Sequence, residues 1–353
     1  MVDIPRIKFF AQHRYRANWP FVDGHYLDAD PKIRNDAPPM IIQHLFPVFA
    51  LIALGAALKR FGLTNPAFLA VTDRLIYFIF FPILLFWKIG AAEQAFNAEA
   101  GRFYLAVIGT VICIYMVSTL YILIFKIPAF QAGTFSQSCY RFNSYVGLAV
   151  ILSVLGEPAV ARFGVLIGLV IPLINVLSVT TLIWFSAAPG HVGQRLQKTL
   201  VSILTNPLVI GCAAGLLYAA WINRFPLFIE NTLRLGASVT LPLALLSIGG
   251  SLTPQTLKRH FPLAAVGAGF KLVLLPAIGF AILQLAGISG DDFALGVIFF
   301  ALPTSTAIYV LSAQLKSDTE LASATIVLST ALSFFTLSAV LWLLKAQSLL
   351  NSI

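Results

Sequence analysis

The sequence predicts an all-α membrane protein: ten transmembrane helices in two inverted five-helix repeats, with the fourth and ninth helices broken where they can cross. Three observations predict it. The chain is 59% hydrophobic and only 10% charged, against roughly 25% charged in a soluble domain. Its apolar residues fall into ten runs, each of about the 20 residues that cross a hydrocarbon core of roughly 30 Å. Its second half matches its first at a constant offset of 160 residues, in rare residue types as well as common ones.

The elements follow in chain order. Residues 1–39 stand apart, polar and with six Lys or Arg, five Asp and several prolines. They lack the apolar centre of a signal peptide. They read either as a disordered tail or as sequence upstream of a true start at Met40, which opens "MIIQHLFPVFALIALG". The remainder, 40–353, reads as one transmembrane domain. Its apolar runs are 41–60, 66–89, 103–125, 131–155, 160–185, 200–221, 228–251, 261–286, 292–315 and 320–345. The connectors are short, and "SAAPGHVGQRLQKT" at 186–199 divides the runs five and five. Lys59, Arg60, Lys126, Arg195, Lys198, Lys258, Arg259 and Lys316 follow the odd-numbered runs. Lys88, Arg102, Arg162, Arg224 and Lys345 lie on the other face, beside six Asp or Glu. The excess of basic residues marks the cytoplasmic side, so both termini are expected outside a bacterial inner membrane. The formal charge of +9 then sets topology and is no sign of nucleic acid. Cys113, Cys139 and Cys212 all fall in apolar runs and read as inert core residues.

The repeat (about 41–185 and 200–345) is carried by specific matches. Pro47 falls on Pro207, Gly55 on Gly215, Arg74-Leu75 on Arg234-Leu235, Pro82 on Pro242 and Gly109 on Gly269. Five spans per repeat is an odd number, so the halves enter the membrane from opposite sides, as in many secondary transporters.

Two polar stretches interrupt the apolar pattern. "YRFNSYVG", 140–147, lies in the fourth run. Adding 160 to Asn143 gives Pro303, inside "FFALPTSTAIYVLSAQ" of the ninth. Proline removes a backbone donor and clashes with the preceding turn. Asn143 and Ser144, and Thr304, Ser305 and Thr306, are N-capping residue types, and Gly147 permits close approach of another backbone. A broken helix leaves unpaired backbone groups that lipid does not satisfy, so it persists only in protein or beside a wet cavity. Two half-helix N-termini, each with partial positive charge, would together favour an anion, most simply a carboxylate.

Other polar residues carry alternatives. Asp73-Arg74 reads as an interfacial pair or a gate. Arg141 either attracts an anion or snorkels to an interface. Lys271 sits deep in its run and is expected to face the protein interior, where it binds substrate, pairs with a carboxylate or fills a helix contact. Asn175, after Pro172, is structural glue or cavity lining. No acidic residue falls at the middle of a run, which argues against a carboxylate proton relay. Nothing resembles HExxH or a paired-aspartate protease, and only His44 of five histidines lies inside a run. No catalytic residue, metal or cofactor is therefore expected.

The stretches "YRFNSYVGLAV", "GLVIPLINVLSV", "TNPLVIGCAAGLL", "LPLALLSIGGSL", "KLVLLPAIG" and "ALPTSTAIYVLSAQL" are similar to the auxin efflux carrier family, which includes plant PIN proteins and many bacterial permeases. The resemblance covers 40–345. It implies the ten-helix inverted-repeat fold, and carriage of small organic anions such as auxin-like monocarboxylates, malate or malonate by alternating access. Asn143 and Pro303 match the family's crossover asparagine and proline. The short central loop is that of bacterial members, and the tail before Met40 has no counterpart. The expected substrate-binding set is Arg141, Asn143, Ser144, Asn175, Lys271, Pro303, Thr304, Ser305 and Thr306. The expected partners are an organic anion and the bilayer, with a homodimer left open. The alternative is a sodium- or proton-coupled symporter or antiporter of the same fold.

Overall fold

Runs of twenty residues without charge have one economical way to satisfy their backbone in lipid, the α-helix. The computed structural model describes residues 40–91, 98–185, 201, 204–222, 224–252 and 257–347, and all regular structure among them is helical. The expectations for 1–39, and for Arg195 and Lys198, lie outside the described residues.

The chain runs through α1 (Met40–Arg60), α2 (Pro66–Leu75), a π-helical turn at Ile76–Phe80, α3 (Phe81–Gly90), α4 (Ala98–Ile124), α5 (Ala129–Tyr140) and α6 (Ser144–Phe185). It continues through α7 (Pro207–Trp221), α8 (Leu227–Ser238), α9 (Thr240–Ser251), α10 (Leu257–Gly269), a second π-turn at Phe270–Leu274, α11 (Leu275–Leu285), α12 (Gly290–Ala301), α13 (Ala307–Gln314) and α14 (Thr319–Ala346). Among the described residues, six helical runs are long and apolar enough to cross a membrane: Pro66–Gly90, Ala100–Ile124, Ala129–Leu182, Leu227–Ser251, Leu257–Leu285 and Thr319–Ala346. At 1.5 Å per residue the third would extend far beyond any bilayer. It is kinked at Gly156, whose φ of 75° only glycine adopts freely. Leu105, Met116 and Leu120 of α4 stand exposed, a surface suited to lipid rather than water.

Local chemistry explains the starts and irregularities. Asn65 and Asn206 cap α2 and α7 through their side-chain oxygens, each followed by proline at the first helical position. Both π-turns end two residues before a proline. The Phe81 N–H reaches back to the Ile76 carbonyl, and the Leu275 N–H to the Phe270 carbonyl. The widened turn makes room for Pro82 and Pro276 within otherwise continuous helices.

Small residues bring helices together. A Cβ on Gly55 of α1 would overlap the Leu246 carbonyl of α9, and one on Gly249 of α9 would overlap the Ile52 carbonyl of α1. Gly215 of α7 meets α3 similarly, its would-be Cβ 3.1 Å from the Phe86 carbonyl oxygen. Without a hydrophobic drive between helices in lipid, such backbone-to-backbone contact is a main source of association.

Candidate functional site

Two interruptions of the helical ladder meet inside this bundle. α5 ends where Arg141 turns extended, with φ −70° and ψ 138°. Asn143 then starts α6, its Oδ1 accepting from the Tyr145 N–H at 3.1 Å and the Val146 N–H at 3.2 Å. α12 ends where Leu302 turns extended, with φ −63° and ψ 146°, as the residue before a proline tends to do. Ser305 Oγ accepts from the Ala307 N–H at 3.2 Å as α13 begins.

The breaks satisfy one another. The Asn143 N–H donates to the Pro303 carbonyl at 2.9 Å. Thr304 Oγ1 donates to the Ser138 carbonyl at 3.0 Å, and the Thr304 N–H to Ser329 Oγ at 3.2 Å. Fully buried Lys271 donates from Nζ to the Phe300 carbonyl at 3.0 Å. That carbonyl is one that helix termination leaves without its usual partner. Lys271→Met is therefore expected to strand a buried acceptor, costing about 1–3 kcal/mol. A Tm lowered by several degrees in detergent checks this; an unchanged Tm would show the bond to be dispensable. Gly147 serves packing of another kind from that expected: its crowding neighbours are the Leu302 and Phe163 side chains, not backbone.

Beside the breaks lies a cavity of about 850 Å³. The first turns of α6 and α13 both reach its wall, through Ser144 and Tyr145 and through Thr306 and Ala307. Both are N-terminal ends, whose peptide dipoles favour negative charge. Arg141 also lines it. Its NH1 donates to Ser178 Oγ at 3.1 Å and its NH2 to Asn175 Oδ1 at 3.1 Å. Ser178 and Asn175 are neutral, and among the described residues Arg141 belongs to no ion pair. A largely buried guanidinium thus faces an open cavity with no carboxylate of the described residues within ion-pair distance.

The expected site residues divide accordingly. Arg141, Ser144, Asn175, Ser305 and Thr306 line the cavity. Asn143, Pro303, Thr304 and Lys271 are not on its wall; their bonds hold the two breaks together. Asn143 is 2% exposed, and its Nδ2 is a buried donor with no hydrogen-bond partner among the described residues.

Other lining residues carry weight that the sequence reading did not assign. Asp73 is exposed on the cavity wall and accepts a hydrogen bond from Ser247 Oγ of α9. The interfacial Asp73-Arg74 ion pair is not formed among the described residues. A signal was available: Asp73 lies seven residues beyond Pro66, about 10 Å along the helix from its start. Tyr77 and Tyr145, which also line the cavity, carried no signal apart from the hydrophobic runs around them.

Comparison with known proteins completes the description. The family described as "Membrane transport protein" matches residues 40–342. The "Uncharacterized transporter" of Methanocaldococcus jannaschii is 23% identical over 306 residues, covering 84% of this chain and 96% of that protein. The "Putative malonate transporter" of Rhizobium meliloti is 26% identical over 320 residues, covering 86% of this chain and 96% of that protein.

Proposed function

Because the chain belongs to the membrane transport protein family, we propose that it is a secondary carrier for a small organic carboxylate, working by alternating access. The single observation that carries this reading is Arg141: a cation with no carboxylate partner among the described residues, on the wall of a cavity that two helix N-termini also reach. Such a wall has a vacancy for one negative charge, and a carboxylate matches the planar guanidinium fork. Ser144, Ser305 and Thr306 add hydroxyls, Asn175 holds the guanidinium, and Asn143, Pro303, Thr304 and Lys271 keep the half-helices in register. The name of the Rhizobium meliloti relative favours malonate as the first substrate to try.

Ten crossings in two inverted repeats are part of the same proposal. Splitting Ala129–Leu182 at Gly156, and adding α1, α7 and the α12–α13 pair, accounts for ten. Helix starts recur near the 160-residue offset, Pro66 with Leu227 and Ala129 with Gly290. The packing is reciprocal as well. Gly55 meets Leu246, and at the same offset Gly215 meets Phe86, which is how residues pair across a two-fold axis. With basic residues inside, both termini lie outside the cell membrane.

Proteoliposomes containing the purified protein are expected to exchange radiolabelled malonate, malate or indole-3-acetate with saturable kinetics. Asn143→Ala removes the α6 cap and the unpartnered amide, and is expected to lower transport about tenfold, with about 1 kcal/mol lost in stability. Absence of exchange for every carboxylate tested would defeat the proposal, and flux that never saturates would favour a channel.

A further inference from the structure

The sequence argues against a proton relay because no carboxylate falls at mid-span; the structure brings one to the cavity. Asp73 lies within the Pro66–Gly90 crossing, exposed to the cavity that Arg141 also lines. The charged and titratable groups on the walls around it are few. Its own span contributes Arg74 and Tyr77, the first break and α6 contribute Arg141 and Tyr145, and α13 contributes Tyr309. The directly packed α9 brings Ile248 and the hydroxyls of Ser247 and Ser251 to the cavity, and no charged group. Among the described residues, no Lys, Arg or His is within ion-pair distance of Asp73.

Its hydrogen-bond partner, Ser247 Oγ, is chemically telling. An arginine or lysine partner would serve only the ionised carboxylate. A serine hydroxyl donates to the carboxylate and, by rotating, accepts from the carboxylic acid. The site is therefore furnished for both protonation states. When the cavity closes during alternating access, water leaves, and an unpaired carboxylate becomes costly. Arg141 is neutralised by the substrate; Asp73 has no such partner.

We propose that Asp73 couples transport to the proton gradient, binding one proton from the cavity water before closure and releasing it on the other side. The O–H bond forms on a carboxylate oxygen and breaks there again, with water supplying and receiving the proton. This rests on the carrier reading above but adds the driving ion and the residue that carries it.

The test uses full-length protein in sodium-free proteoliposomes, with the membrane potential clamped at zero and labelled malonate, malate and indole-3-acetate as probes. A pH difference of about one unit supports up to about tenfold accumulation by the wild type. In Asp73→Asn the accumulation is expected to fall to the equilibrium level while exchange of the same probe persists within about twofold, which also shows the variant folded. Asp73→Glu is expected to restore accumulation. The proposal is overturned if Asp73→Asn still accumulates with the pH gradient, or if the wild type follows a sodium gradient and ignores pH. Loss of exchange in the wild type itself defeats the carrier reading instead, and this inference with it.

Discussion

Arg141→Gln is expected to weaken carboxylate binding by about thirtyfold or more. Truncating one member of a buried charge pair typically costs about 2–5 kcal/mol, because the remaining charge is left without compensation. Here the remaining charge is the substrate's, facing two helix ends that supply only partial positive charge. Glutamine keeps a donor and acceptor near Ser178 and Asn175, so the local hydrogen bonds have replacements. Arg141→Lys restores the charge without the planar fork and is expected to fall between the two. Titration of purified protein with malonate, followed by thermal stabilisation, gives the ratio directly. Wild-type affinity in Arg141→Gln would remove the guanidinium from the site.

The second large effect concerns the contact that holds the bundle together. Gly249→Val places a branched side chain where the Ile52 carbonyl of α1 already stands, and the Ala56 nitrogen lies 2.9 Å from the first added atom. The obstruction is backbone on a packed helix, so no rotamer change relieves it. Overpacking commonly costs about 1–3 kcal/mol, and this substitution belongs at or beyond the upper end. The expected outcome is loss of monodisperse protein after extraction in mild detergent. Gly109→Ala is the matched control: nothing lies within 4 Å of its would-be Cβ, and alanine is the better helix former by about 1 kcal/mol. A folded Gly249→Val with an unchanged Tm would show that α1 and α9 are held by other contacts.

Much of the site was legible because chemistry forbids its residues elsewhere. A proline within one apolar run and an Arg-Phe-Asn-Ser string 160 residues before it are costly in a continuous lipid-spanning helix, so interruptions around Asn143 and Pro303 were expected from the residues, and the helices stop at 141–143 and 302–306. Gly55 and Gly215 also appeared as a repeated pair, although only the packing shows which carbonyls they admit. Other assignments were out of reach. Thr304, Ser305 and Thr306 are equivalent as capping residue types, yet Thr304 turns inward to the Ser138 carbonyl while Ser305 and Thr306 meet the cavity. Lys271 offered three readings, and its bond to the Phe300 carbonyl answers a vacancy that exists only because another helix stops there.

The residue sequence by itself determined that this chain belongs in a membrane, where its helices break, and which polar residues need an explanation. Each is a local matter: burial cost, backbone donors and dihedral preference are settled within a few positions. Only the tertiary structure decided that Asn143 bonds Pro303, that no carboxylate among the described residues pairs with Arg141, and that Asp73 shares its cavity. In a bundle surrounded by lipid, both buried and outward faces are apolar. Hydrophobic periodicity therefore does not reveal which side of a helix faces water, and the packing of the other helices makes that choice.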